Sequence, residues 1–150
     1  MKVKSKRYTL KSMMMIVTVI ALTAAFLVTV SAGMLGSDTI SKSIFDTTAT
    51  GNLVVYDTYA TATTSYARSG SNISINATVN AKYRFGGKDI LLNDYSNSMG
   101  GGATAQVSIS VAEQPNAVFL EVNGSHEVRN YVNGMLLSAG HWLDFTKWIR

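Results

Sequence analysis

Chemistry in this sequence depends on few residue types, because the chain has two histidines and no cysteine. A nucleophilic triad needs a histidine beside a serine and a carboxylate. No Gly-x-Ser-x-Gly elbow accompanies His126 or His141. Glu127 directly follows His126, and neighbours on a strand point to opposite faces, so this pair cannot easily cooperate. We therefore predict that the protein is not an enzyme.

Two residue sets could bind a metal ion in principle. Adjacent strands could bring together His126, His141 and Asp144, although nothing in their spacing demands it. A central region offers oxygen ligands that suit calcium but lacks the spacing and glycine of a calcium loop. We predict solvated loop residues and no cofactor or metal. These oxygen ligands are Asp89, Asn93, Asp94 and Asn97.

Gly100-Gly101-Gly102 resembles part of a phosphate loop only superficially. No Gly-Lys-Ser/Thr follows, and the next element has the pattern of a strand instead of a helix. We interpret the three glycines as a flexible connector.

The N-terminal 32 residues have the organisation of an export signal. A basic head is followed by an uncharged, mostly apolar run from Ser12 to Ser31. The run ends in small residues that fit a signal peptidase, which predicts cleavage between Ala32 and Gly33. The alternative is an uncleaved membrane anchor through residues 12–32, because about 20 apolar residues span a bilayer. Both interpretations place the rest of the chain outside the cytoplasm.

This segment also carries the excess of positive charge. The whole chain has 13 basic and nine acidic residues, for a net charge of +4. Residues 1–32 hold five of the basic residues and none of the acidic ones, so residues 33–150 carry a charge of −1. Nucleic-acid binding needs clustered cations, and only Lys82, Arg84 and Lys88 lie close together. We predict no nucleic-acid partner.

Period-two patterns predict an all-β fold. Asn72 to Phe85 alternates polar and apolar residues without a break, and Ala103 to Ala112 does so without any charge. An uncharged strand would template aggregation at an edge, so we expect the second one to lie inside its sheet. Leu53 to Ala67 is a less regular strand, joined by a hairpin at Arg68–Ser71.

Turn signals divide the C-terminal half into short strands. Pro115-Asn116, Asn123-Gly124 and Asn133-Gly134 each predict a turn. Gly140 to Ile149 is expected to be a last strand with Leu143, Phe145 and Ile149 facing inward.

We expect a small antiparallel β-sandwich or barrel of about six or seven strands, preceded by a hydrophobic signal helix. The predicted organisation is a signal peptide over 1–32, a flexible leader over 33–51 and a β domain over 52–150. Residues 86–102 form a long connection with one helical turn at Asp89–Leu92. Cysteine-free export fits a bacterial source better than a eukaryotic one, even though sequons are present at Asn72, Asn76 and Asn123.

These features favour a small exported protein that acts by binding or assembly outside the cell or at its surface. The partner is an unknown protein or a component of the cell envelope. Trp142 and Trp148 are the candidate residues for contact with a partner or a membrane.

Two alternatives remain open at this point. A signal peptide, β hairpins, Ser125-His126 and His141-Trp142 are loosely similar to small cysteine-free lactococcin-like exported proteins, which implies a bacteriocin-like antagonist. A matrix or filament subunit would assemble by adding residues 33–51 to a neighbour's sheet edge.

Overall fold

The computed structural model describes residues 33–68, 70–99 and 103–150. Its one helical segment within these ranges is a 3-10 turn at Ser138–Gly140, so the prediction of an all-β fold is confirmed. The predicted signal peptide and the triple-glycine connector lie outside the described residues. The strands are β1 (Met34–Ile44), β2 (Thr47–Tyr56), β3 (Tyr59–Tyr66), β4 (Ile73–Phe85), β5 (Lys88–Met99), β6 (Thr104–Ser110), β7 (Val118–Val132), β8 (Met135–Leu136) and β9 (Trp142–Ile149).

The strands form two antiparallel sheets. Sheet 1 has the order β1-β2-β3-β6. Sheet 2 has the order β5-β4-β7, and both β8 and β9 pair with β7 at different points along it. Side chains from both sheets make one buried core, as expected of a sandwich.

Alternation along each strand builds this core. Leu53 and Val55 on β2 are fully buried, as are Ile75 and Val79 on β4 and Phe119 on β7. The predicted alternation is confirmed along β4 from Ile73 to Tyr83 and along β6, where every second residue is buried. The ends of the two predicted segments differ, because Phe85 and Ala103 are exposed. Burying an aliphatic side chain of this size stabilises a domain by about 1.5–3 kcal/mol.

Residues 33–51 are not a leader, and this expectation is corrected. They form β1 and the first half of β2, joined by a two-residue turn at Phe45 and Asp46 with φ of 48° and 58°. The hydroxyl of Tyr66 donates to the carbonyl of Ile44 at 2.9 Å, which ties this hairpin to β3. The first strand therefore belongs to the domain.

Two connections also differ from expectation. The segment from Leu53 to Ala67 is two strands joined at Asp57-Thr58. The Arg68–Ser71 connection is a crossover between the sheets, because β3 lies in sheet 1 and β4 in sheet 2. Ser69 itself lies outside the described residues.

Most of the predicted long connection is a strand. Gly86 and Gly87, with φ of 57° and 77°, make a tight turn that returns the chain as β5 alongside β4. Residues Asp89–Leu92 are extended within β5, so the predicted helical turn is wrong. Glycine adopts positive φ readily, which explains why the turn lies at this pair.

Two of the three predicted C-terminal turns are present in the structure. The turns at Asn116 and at Asn133-Gly134 are confirmed by positive φ at these residues. Asn123-Gly124 instead lies in the middle of the 15-residue strand β7. Gly124 is required there for space, because a Cβ atom would lie 2.5 Å from the Thr146 Oγ1 atom.

Strands β6 and β9 differ from prediction in their position and in the face that is buried. Strand β6 is an edge strand of sheet 1, not an interior one. Strand β9 exists as predicted but with the opposite face inward, because Trp142 and Thr146 are buried while Leu143, Phe145 and Ile149 are exposed. Within the described ranges, no helix is long and apolar enough to span a membrane.

Candidate functional site

The outer surface of sheet 2 combines exposed apolar side chains with amides and paired charges. Strand register fixes its composition, because residues opposite one another on adjacent strands share a face. We call this surface the mixed face. Its members are Leu91, Asn93, Tyr95 and Asn97 of β5, Asn76, Thr78, Asn80 and Lys82 of β4, Glu121, Asn123, Ser125 and Glu127 of β7, and Leu143, Phe145, Lys147 and Ile149 of β9.

One row of the mixed face has an aromatic ring at each end. Tyr95, Thr78, Ser125 and Phe145 are successive partners across the four strands. Tyr95 is 74% exposed and Phe145 is 62% exposed. Strands lie about 4.8 Å apart, so the two rings are separated by about 14 Å with small hydroxyl residues between them. The row therefore has two small polar side chains at its centre and an exposed aromatic ring at each end.

The adjacent row is made of amides and a lysine. Asn93, Asn80, Asn123 and Lys147 are successive partners in the register. A hollow of about 330 Å³ opens over Asn80, Asn93 and Asn123. Among the described residues, the side chains of Asn80 and Asn93 have no hydrogen-bond partner, so each presents a donor and an acceptor to a ligand.

Ion pairs fix the charges at one end of the mixed face. Lys82 Nζ lies 2.9 Å from a carboxylate oxygen of Asp89, and Lys147 Nζ lies 2.8 Å from Glu121 Oε1. Hydrogen bonds from Arg84 and Lys82 lower the pKa of Asp89. Hydrogen bonds from Lys147 and Asn123 lower the pKa of Glu121 in the same way. Asp89 also pairs with Arg84, so two carboxylates face three cations and one positive charge is in excess at this end.

Glu127 organises a second group of polar residues at the other end. Its carboxylate accepts hydrogen bonds from Asn76 Nδ2 at 2.9 Å and from His141 Nε2 at 3.0 Å, and it pairs with Arg129 at 2.7 Å. Burial raises the pKa of Glu127, but the hydrogen bonds from Arg129, His141 and Asn76 outweigh it and the pKa is lowered. This carboxylate stays ionised and structural.

The other histidine lies in the core. His126 is fully buried, and a Cβ atom added at Gly51 would lie 2.3 Å from its Cγ atom. Its Nδ1 atom lies 3.0 Å from the Thr64 hydroxyl and its Nε2 atom 2.8 Å from the Thr146 hydroxyl. The glycines at 51 and 124 make the space that the ring occupies.

The hydrogen bonds of Thr64 define the state of this ring. The Thr64 hydroxyl donates to the carbonyl of Asn76 at 2.7 Å, so it accepts from Nδ1. Nε2 then accepts from Thr146, which is the pattern of a neutral imidazole. Burial lowers the pKa of His126 to about 4, although the charges of Asp144 and Asp38 oppose this effect. A buried, neutral ring with both nitrogens engaged cannot act on a substrate in solution.

The first residue set considered as possible metal ligands is not assembled. His126 lies inside the core and His141 is bonded to Glu127 on the mixed face, so these histidines do not converge with Asp144. No group of three or more histidine, aspartate or glutamate side chains in the described part of the chain could hold a metal ion.

The four residues considered as possible calcium ligands also do not converge. Asp89, Asn93 and Asn97 are spaced along the outer side of β5, whereas Asp94 faces the other way and caps the Tyr95 amide. The prediction of ordinary solvated residues fits this arrangement, although they belong to a strand and not to a loop.

The two tryptophans are not the exposed aromatic residues of the C-terminal segment. Trp142 is 3% exposed, and Trp148 packs against the core with its ring over Gly36. Phe145 is the exposed ring on the same strand. The exposed ring of this strand is therefore Phe145, whereas Trp142 is buried.

Of the two residues that flank the predicted cleavage site, only Gly33 belongs to the described residues. Ala32 lies outside the described residues. The Gly33 amide donates to Asp57 Oδ2 at 2.9 Å, and the Asp57 amide donates to the Gly33 carbonyl at 3.1 Å. Gly33 is therefore fixed at the beginning of β1 by contacts with the β2–β3 turn.

Strand β5, and with it one aromatic end of the mixed face, is not predicted from the sequence. The segment that contains Leu91, Asn93 and Tyr95 has no clear polar–apolar alternation, so its pattern predicts a connection. The available signal was Gly86-Gly87 directly after a long strand, which is typical of a hairpin turn.

Comparison with known proteins gives little. No family model and no curated protein matches the chain. A solved structure of a protein from Archaeoglobus fulgidus aligns with 79% of this chain and 98% of its own length, at 8% identity and a TM-score of 0.21. Similarity at this level carries no argument about fold or function.

Proposed function

We propose that this protein is a non-enzymatic binding domain that acts outside the cytoplasm, released or held at the cell surface. The mixed face is its contact surface, and an extended carbohydrate chain is its ligand. Export rests on the basic and apolar organisation of residues 1–32.

The row Tyr95–Thr78–Ser125–Phe145 is the observation that carries the proposal. The two aromatic side chains at its ends are each more than half exposed to solvent. The residues between them in the row are polar, so no apolar neighbour in the row covers either ring. Exposed aromatic side chains at a rim of polar residues are typical of binding surfaces. The rings provide the apolar faces on which a sugar ring stacks.

The amide row supplies the matching polar contacts. A sugar carries hydroxyl groups that donate and accept, and the amides of Asn80 and Asn93 do the same. The hollow above these amides opens between Leu91 on β5 and Glu121 on β7. A chain lying across the strands would contact both rows at once.

Charge favours a neutral ligand over a nucleic acid. Lys82 and Lys147 on this face each pair with a carboxylate. Counterion release from a phosphate backbone needs cations that are free to pair with phosphates. Glu121 pairs with Lys147, and the one carboxylate of Asp89 is shared by Lys82 and Arg84, so a single cation is in excess at this end instead of a cluster.

Depletion of the purified protein from solution by chitin, cellulose and xylan, together with a glycan array, tests the ligand class. The experiment uses the full protein in the form in which it is recovered from the cells that produce it. We expect retention by at least one polysaccharide and loss of retention in the double variant Tyr95→Ala, Phe145→Ala. Tyr59→Ala is the matched control, because Tyr59 lies on the outer surface of sheet 1 and stacks on Tyr56 at 4.3 Å. Equal retention of the double variant and the parent contradicts the proposed surface.

N-terminal sequencing of the protein from culture medium and from membranes tests export and cleavage. We expect a mature chain that begins at or close to Gly33. An intact Met1 on protein from the cytoplasmic fraction contradicts export.

A further inference from the structure

On each long side of the sandwich, an edge strand of sheet 1 lies beside a strand of sheet 2. On one side β1 lies against β9, where Asp38 accepts the Lys147 amide at 3.0 Å and Trp148 covers Gly36. On the other side β5 lies beside β6, and no backbone hydrogen bond joins these two edge strands within the described residues. Strand β6 therefore has β3 as its hydrogen-bonding strand partner, and its outward backbone groups have none within the described residues.

The hydrogen bonds of β6 with β3 identify its unpaired backbone groups. The Val111 amide donates to the Thr58 carbonyl, and the Tyr66 amide donates to the Ala103 carbonyl, each at 2.8 Å. Backbone groups alternate in direction along a strand, so the odd-numbered residues of β6 bond to β3. The even-numbered residues direct their N–H and C=O groups away from the sheet. These are Thr104, Gln106, Ser108 and Ser110.

This edge lacks the features that normally prevent strand addition. Natural edge strands carry lysine, proline or a bulge. Strand β6 contains no charged residue and no proline, and its register with β3 has no shift. Val107 and Ile109 are already buried beneath it, so a partner would add mainly backbone hydrogen bonds.

We infer that β6 pairs with β6 of a second copy of this chain. A strand that pairs antiparallel with itself must match its own sequence when reversed about the two-fold axis. With Val107 on the axis, Thr104 faces Ser110 of the second copy and Gln106 faces its Ser108. Every polar residue then meets a polar residue, and every apolar residue meets an apolar one.

The hydrogen-bonding pattern selects this register. Antiparallel strands bond through pairs of residues whose backbone groups both point at the partner. With the axis at Val107, each of the four even-numbered residues of one copy lies opposite an even-numbered residue of the other. This pairing allows up to about eight hydrogen bonds. An axis at Gln106 or at Ser108 leaves one of the four without an opposite residue. The pair joins two copies of sheet 1 into one continuous sheet.

Sedimentation equilibrium of the full processed protein from about 0.01 to 1 mM tests the inference, since weak interfaces associate in this range. We expect a monomer–dimer equilibrium that 0.5 M salt leaves within about twofold, because β6 carries no charge. Gln106→Pro removes an outward N–H without breaking a bond to β3, and we expect at least about tenfold weaker dimerisation.

Ser43→Pro is the matched control on the opposite edge of the same sheet. Ile44 and Thr47 close a two-residue hairpin, so the Ser43 amide also points away from its partner strand. We expect this variant to dimerise like the parent. A monomer at all concentrations, or an unchanged dimer in Gln106→Pro, overturns the inference.

Amide hydrogen exchange on the unaltered protein decides the question even if Gln106→Pro does not fold. Protection at Thr104, Gln106, Ser108 and Ser110 should rise with concentration, while the odd-numbered amides of β6 stay protected throughout. Protection of all four at every concentration means that another part of the same chain covers the edge, and overturns the inference. Carbohydrate retention on the mixed face is a separate readout, so the two proposals fail independently.

Discussion

The buried imidazole of His126 makes folding stability depend on pH. Its pKa in the folded protein is about 4, against 6.5 for an ordinary histidine, because burial disfavours the charged ring. The folded pKa lies below the unfolded one, so the unfolded chain binds the proton first. Stability is therefore fully present above pH 6.5 and is lost as pH falls from 6.5 towards 4.

The size of this loss follows from the difference in pKa. One pKa unit corresponds to about 1.4 kcal/mol, so the complete shift is worth about 3 kcal/mol. By pH 5 the free energy of unfolding should be lower than at pH 7 by about 2 kcal/mol. Asp144 and Asp38 are the charges that act on the ring, and both favour its protonation. Their effect is already contained in the folded pKa.

Urea unfolding at several values between pH 7 and pH 5 measures this dependence. Comparison with His126→Gln isolates the ring, because glutamine offers a donor and an acceptor to Thr64 and Thr146 but does not titrate. We expect the variant to be less stable than the parent at pH 7 and to lose most of the slope between pH 7 and pH 5. His141→Gln is the control, since this ring lies outside the core against Glu127.

Two results would refute the reasoning. One is a parent protein whose stability is flat from pH 7 to pH 5. The other is an equal slope in His126→Gln and the parent. A direct NMR titration of the His126 ring supplies a check that needs no variant, with an expected midpoint near pH 4.

Other predictions concern packing and turns. Gly51→Ala should lower the free energy of unfolding by about 1–3 kcal/mol, because its Cβ would lie 2.3 Å from the buried imidazole, whereas Gly70→Ala meets only the flexible side chain of a neighbour. In thermal or urea unfolding, Leu53→Ala should cost about 2–5 kcal/mol and Leu91→Ala less than about 0.5, since these leucines are 0% and 78% exposed. Gly134→Ala should cost about 1 kcal/mol through its φ of +79°, and equal stability of variant and parent would contradict the turn geometry.

The polar–apolar pattern predicted strands correctly where one face of the strand is buried and the other is exposed to solvent. The alternation of β4 and β6 identified both strands and their inward residues except at the segment ends, Phe85 and Ala103, because a one-residue slip would move every apolar side chain into water. The same logic failed for β9, where Trp142 and Trp148 on one face compete with Leu143, Phe145 and Ile149 on the other. Because both faces of β9 carry apolar residues, packing against the rest of the domain decides which face is buried.

The candidate site was less accessible from sequence than the fold. Tyr95 and Phe145 are separated by 50 positions and become members of one row only through the register of four strands. Asn123-Gly124 has the composition of a turn, yet Gly124 is needed where Thr146 and His126 pack against the strand. The requirement for glycine came from a close approach in space and not from the backbone conformation.

The sequence alone determined the class of fold, because period-two alternation and β-branched residues can bury an apolar face only as strands. It also determined that the excess positive charge lies in residues 1–32 and that no thiol chemistry exists. Tertiary structure decided which strands lie at an edge, which face of β9 is buried, and which side chains share the mixed face. These properties depend on sheet order and register, which arise from contacts between residues far apart in the chain.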